Sequence, residues 1–267
     1  MARDTGGTGE EGPAAMTKTT IPWATHVWNP VTGCSPCSPA CKNCYARRTH
    51  DMRHEAFKAG KLQNMPQYAQ PFNVVRCLPK RLDAPLHMRK HVRIFVDSMG
   101  DLFHEDVPLE FIDRVFTAML CASWHTFLLL TKRAEAMRKY VDSARAVLPE
   151  NVWLGVSVWD QASADAAWEQ LRQTPAAVRF FSYEPALERA RFHDMLHRLG
   201  GGITLDWLIA GGETGPGARP CNPDWLTRAW RQCKAAGVPF FFKQWSNTSY
   251  PSCPGQKWGE ATLEEIH

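Results

Sequence analysis

At 267 residues, 44% of them hydrophobic and with a net charge of +4, the chain can bury a full core in one or two domains. It has no apolar run near the roughly 18 residues of a membrane span and no charged-then-apolar secretory leader. Its nine cysteines, an odd number, suit a reducing cytoplasm, where disulfides are rare and the Asn247-Thr248-Ser249 sequon carries no meaning.

Residues 1–20, rich in Gly, Thr and Ala, predict a disordered leader. A strand over Thr25–Asn29 delivers a loop dense in cysteine, and a helix follows from Tyr45 to about Ala59. Residues 60–91 contain Pro66, Pro71, Pro79 and Pro85 and predict loops with at most one short helix. The chain then alternates. Strands are expected over 93–97, 126–131, 152–157, 178–182, 206–210 and 239–243. Helices are expected over 109–122, 134–147, 162–172 and 223–236. Continuous apolar runs of about five residues between helices signal parallel strands buried on both faces. With the first strand they make an α/β fold, a parallel (βα) barrel of six to eight strands, complete or incomplete, rather than an open sheet. It would form a single domain over 21–246, with 247–267 as a C-terminal tail.

The strands end on polar residues. They stop at Asp97-Ser98-Met99-Gly100-Asp101, Thr131-Lys132-Arg133, Ser157, Ser182-Tyr183-Glu184-Pro185, Gly211-Gly212-Glu213 and Lys243-Gln244-Trp245. Any loop is polar, but in a barrel these ends meet on one rim, where barrel enzymes place their chemistry. Asp97, Ser157, Ser182, Glu184, Gly211, Gly212, Glu213 and Lys243 are therefore candidate cofactor-binding residues. The cysteine loop follows the first strand and belongs to the same rim.

That loop runs Cys34-Ser35-Pro36-Cys37-Ser38-Pro39-Ala40-Cys41-Lys42-Asn43-Cys44, a C-x2-C-x3-C-x2-C spacing. Crowded thiolates repel unless a metal neutralises them, so the loop reads as a metal or iron–sulfur nest rather than a disulfide staple. Four thiolates on zinc would make a closed structural site, usually drawn from two separated hairpins. Three on a 4Fe–4S cluster would leave one iron open to a ligand.

Cys37, Cys41 and Cys44 spell C-x3-C-x2-C, which resembles the signature of radical S-adenosylmethionine (radical SAM) enzymes. The wider stretch from Trp28 to Tyr45 resembles a narrower branch, the phage- and prophage-associated three-cysteine-motif proteins. The likeness extends to Ser182-Tyr183-Glu184-Pro185, Gly211-Gly212-Glu213 and Lys243-Gln244-Trp245, covering about Trp23 to Trp245. The branch spaces its cysteines C-x6-C-x2-C. The resemblance therefore implies Cys34, Cys41 and Cys44 as ligands of a 4Fe–4S cluster, with Cys37 the alternative third ligand under the general signature. It also implies S-adenosylmethionine as cofactor and a radical SAM-like barrel, and it hints at a partner protein encoded nearby. Gly211-Gly212-Glu213 resembles the Gly-Gly-Glu element that holds the methionyl amino group. Here it follows a late strand instead of an early one, so that role is not transferred.

Charge is uneven. Residues 42–93 hold twelve Lys/Arg against three acids, +9 in a chain of +4. Such a segment suggests an anionic partner, nucleic acid first, although a solvated face has the same composition and no DNA-reading motif is present. Three functions follow: a radical SAM-like enzyme acting on a substrate that includes nucleic acid among its candidates; a zinc-stabilised nucleic-acid-binding protein without catalysis; and a phosphate-recognising barrel enzyme with structural cysteines. An anaerobic spectrum separates the first from the others.

Overall fold

The computed structural model describes residues 16–143, 148–197 and 202–246. The chain opens with strands β1 (Thr17–Lys18), β2 (His26–Trp28) and β3 (Val31–Thr32), then helix α1 (Tyr45–Lys58) and strand β4 (Arg76–Cys77). Regular alternation follows: β5 (Arg93–Val96), α2 (Leu109–Cys121), β6 (Thr126–Thr131), α3 (Ala134–Asp142), β7 (Val152–Val158) and α4 (Gln161–Leu171). It closes with β8 (Arg179–Tyr183), α5 (His193–Leu196), β9 (Trp207–Ala210), α6 (Pro223–Ala236) and β10 (Phe240–Phe242). Local chemistry sets the helix ends. Asp160 and Ser163 form a reciprocal capping box on α4, while α6 starts at the Asn222 cap with Pro223 and stops at Gly237 in the left-handed region.

The main sheet has eight strands in the order β1-β2-β5-β6-β7-β8-β9-β10. All neighbours pair in parallel except β1, which runs antiparallel to β2. The fold is thus α/β with a mostly parallel sheet, whose edges among the described residues are β1 and β10. A two-stranded ribbon of β3 and β4 sits at the foot of the cysteine loop.

The two faces differ. Ile94, Val96, Phe127, Leu129, Leu154, Val156, Phe181 and Leu208 join the helices in the larger core. Phe95, Leu128, Trp153, Phe180, Trp207 and Phe241 turn the other way, into a second, aromatic cluster with Trp23. The Trp23 ring lies 4.6 Å from Phe95 on β5 and 6.3 Å from Trp207 on β9. Those strands are four apart, about 19 Å in a flat sheet at about 4.8 Å per strand. One indole reaches both, so the sheet curls around this interior. Gly155 lets it: a Cβ there would lie 2.2 Å from the Phe180 ring.

The leader ends earlier than its composition predicts, because Thr17 and Lys18 pair with β2 as an edge strand. The segment 60–91 makes three short 3-10 turns, Pro66–Tyr68, Pro79–Arg81 and Ala84–His87, each with proline at its start. Helix α5 has four residues, too few for a periodic signal. Residues 1–15 of the leader, 144–147 of the predicted helix, and 247–267 with the sequon lie outside the described residues.

Candidate functional site

Side chains alternate along a strand, so residues two and four beyond an interior aromatic share its face. Trp153 leads through Gly155 to Ser157, Phe180 to Ser182 and Glu184, Trp207 through Ile209 to Gly211, and Phe241 to Lys243. The concave face therefore turns from aromatic to polar at its C-terminal end. Ser157 and Ser182 are register partners on adjacent strands, and both are buried. Lys243 Nζ reaches Glu184 Oε1 at 2.5 Å, and Gln244 Nε2 donates to the same oxygen at 2.9 Å.

Asp97, just beyond β5, is buried with no full hydrogen bond to its carboxyl. It is 4% exposed, and the Val31 amide faces its carboxylate without completing a hydrogen bond, leaving both oxygens without a partner. Burial, reinforced by the charge of Asp101, pushes its carboxyl well above the ordinary range.

The cysteine loop lies across this end. Gly33, at φ +88°, turns the chain into it; a Cβ there would meet the Val74 carbonyl at 2.3 Å. Its N–H donates to Met99 O at 3.0 Å, and the Cys34 N–H to Phe72 O at 2.9 Å. Two polar clamps then hold the loop. On one side Arg133 donates to Cys34 Sγ (3.5 Å), Ser35 O (3.2 Å) and Asp101 Oδ2 (3.2 Å). Asp101 is itself fixed by Thr131 Oγ1 at 2.7 Å and the Phe103 amide at 3.0 Å. The Ser35 hydroxyl meets the buried His104 Nε2 at 2.7 Å.

On the other side Glu213 accepts from Arg219 Nη2 (2.5 Å), Arg219 Nε (2.9 Å) and Asn43 Nδ2 (2.8 Å). Arg219 continues to Pro39 O at 3.1 Å, and Asn43 to Gly217 O at 2.7 Å. Burial opposes ionisation of Glu213, but the Arg219 and Asn43 hydrogen bonds outweigh it and hold its carboxyl at about 2. Glu213 thus serves as a tether from the β9 loop to the cysteine loop. Gly211 and Gly212 allow close backbone packing: a Cβ on Gly212 would lie 2.4 Å from Ser246 N, and Gly211 faces Gln244 at 3.2 Å.

The four loop cysteines are free thiols; Cys34, Cys41 and Cys44 are half-buried and Cys37 is exposed. The Cys37 thiol donates to Cys41 and holds it well below the usual thiol range, while the same bond pushes Cys37 up. Burial and Asp101 push Cys34 up against the pull of Arg133. The donor set has the chemistry of a soft-metal or iron–sulfur site, with Arg133 and Lys132 beside it to offset thiolate charge. Among the described residues, no three His, Cys, Asp or Glu side chains are gathered around one point in metal-binding geometry.

A family model matches residues 18–264, nearly the whole chain. The chain belongs to that family, proteins of unknown function (DUF5131). No curated protein and no solved structure matches it. In this family member the strand-end residues were legible one strand at a time, whereas the clamp residues Asn43, Ser35, His104 and Arg219 were not. Asn43 carried the only local hint, an amide placed between two cysteines.

The basic segment does not stay wholly at the surface. Arg81 donates to Asn29 O at 3.1 Å, Arg76 to Pro66 O, and Arg53 lies over the Tyr68 ring at 5.3 Å. Among the described residues no helix is long and apolar enough to cross a membrane.

Proposed function

We propose that this chain is an iron–sulfur protein on a partial (βα) barrel, with Cys34, Cys41 and Cys44 anchoring a 4Fe–4S cluster, and that it acts as a radical SAM-like enzyme. The observation that supports this is placement: two independent polar clamps fasten a four-thiol loop over the C-terminal ends of a curled parallel sheet. A 4Fe–4S cluster held by Cys34, Cys41 and Cys44 would supply one-electron reducing chemistry toward bound S-adenosylmethionine. The chain's own residues have separate tasks. Arg133 lies against Cys34 and favours its thiolate form. The buried Asp97 carboxyl is a hydrogen-bonding group for a cofactor's amino group, and Ser157 and Ser182 offer neighbouring hydroxyls on the concave face. The aromatic floor of Trp23, Trp153 and Trp207 keeps water from entering below. Half-burial beside Arg133 favours Cys34 over the exposed Cys37 as third ligand.

Protein purified without oxygen is expected to be brown and to hold iron and sulfide. Cys41→Ala, Cys44→Ala and Cys34→Ala should lose both, while Cys37→Ala keeps them. Stoichiometric zinc without iron, in protein made with ample iron, would overturn the reading in favour of a zinc-stabilised fold.

A further inference from the structure

A cavity of about 620 Å³ lies between the β1–β2 edge, the inner side of α1 and the Pro66–Tyr68 turn. That volume falls in the range of small-molecule sites, and the cysteines do not line it. Its wall is one-sided in charge. Arg53 and Arg81 contribute guanidinium groups, and no Asp or Glu lines it among the described residues. Hydroxyls are unusually dense, with Thr17, Thr19, Thr20, Thr32 and Thr49 all present beside apolar Ile21, Leu62 and Met65.

One residue of that wall carries a buried nitrogen with no hydrogen-bond partner. His50 is 3% exposed, lines the cavity, and its Nδ1 makes no hydrogen bond. The Asp51 carboxylate stands 3.9 Å from it, beyond hydrogen-bond reach. Burial holds the imidazole below its usual range against a hydrogen bond to the Gln67 backbone, so the unpartnered Nδ1 offers a ligand an acceptor. Arg53 gives one N–H to the Tyr68 hydroxyl at 2.5 Å and, with five N–H groups in its fork, keeps others for an anion.

We propose that this cavity binds an organic phosphate, with the phosphate on Arg53 and the threonine hydroxyls and the organic part against His50 and the apolar wall. Nucleoside monophosphates and sugar phosphates share that chemistry. The proposal does not rest on the cluster reading, since no cysteine takes part in it.

The test is a titration of the full chain, and of its Cys41→Ala variant, with adenosine monophosphate, uridine monophosphate, ribose 5-phosphate, inorganic phosphate and adenosine. Calorimetry and the intrinsic tryptophan fluorescence, to which Trp28 in the cavity wall contributes, give two readouts. At least one organic phosphate is expected to saturate the site, at least about tenfold tighter than inorganic phosphate or adenosine, as loss of a charge-assisted contact implies. A ribose 5-phosphate as tight as the nucleotides assigns a sugar phosphate; a weaker one assigns a nucleotide. Arg53→Gln and the conservative His50→Gln should each weaken binding by about tenfold or more, with circular dichroism showing that each variant keeps the parent's folded spectrum. The proposal is overturned if no organic phosphate saturates, if adenosine binds as well as its monophosphate, or if both variants bind like the parent. Because the Cys41→Ala chain is titrated in parallel, loss of the cluster and loss of this site are separate results.

Discussion

Two buried carboxylates near the cysteine loop behave in opposite ways, and their surroundings explain it. Glu213 is saturated with donors from Arg219 and Asn43, so its carboxyl sits at about 2 against an ordinary 4.5. A depressed carboxyl contributes stability that is complete above pH 4.5 and is lost as the pH falls toward about 2. Glu213→Gln should therefore cost about 1–3 kcal/mol at neutral pH. The gap to the parent, measured by denaturant titration, should shrink through that acid window, and amide exchange in residues 34–44 should quicken. Asp97 carries the reverse sign. Its carboxyl is raised above the ordinary 3.8, so ionisation costs stability as the pH rises through its folded value. Asp97→Asn should match or exceed the parent's melting temperature at pH 8 and, under the proposed function, bind S-adenosylmethionine more weakly. A variant less stable than the parent there would mean that the carboxylate is satisfied in solution.

At the scale of elements, most strands were legible because runs such as Thr126–Thr131 are apolar without alternation and hence buried on both faces. Helix α6 was readable to the residue, from Pro223 to Ala236, because proline and glycine mark its two ends. What strand patterns do not reveal is how adjacent strands fit. Gly155 stands opposite Phe180 in the β7–β8 register, and the ring occupies the space its side chain would need. Gly155→Ala should cost about 1–3 kcal/mol through overpacking, seen as a lower midpoint of urea unfolding at unchanged slope. The pairing of β1 with β2 was likewise hidden, since two exposed residues, Thr17 and Lys18, carry no hydrophobic signal.

For the whole molecule, curl and charge are the properties that no single element holds. Trp23 bridging β5 and β9 sets the curl, and the curl brings strand ends far apart in sequence onto one concave face. Charge is redistributed by the same folding. Arg76 and Arg81 hold backbone carbonyls, so neutralising Arg76, Lys80 and Arg81 together should lower the melting temperature before it reports on any partner. The exposed Lys61, Arg89 and Lys90 are the better probes of an anionic partner. Converting these three to Gln should leave the melting temperature unchanged. Each phosphate contact so removed should lower the salt slope of oligonucleotide binding by about one unit.

The amino-acid sequence by itself determined the α/β alternation, the cysteine spacing and the polar strand endings, because each depends on neighbours within a few residues. It also placed the chain's excess of positive charge in residues 42–93. Tertiary structure alone decided that Asn43 and Arg219 would meet on Glu213, which lies 170 positions from Asn43 in the chain. It decided that Arg133 would lie against Cys34, that Asp97 would be buried without a full hydrogen bond, and that a cavity would form behind α1. Those outcomes depend on the curl of the sheet, and the curl depends on how aromatic side chains from separate strands fill one interior.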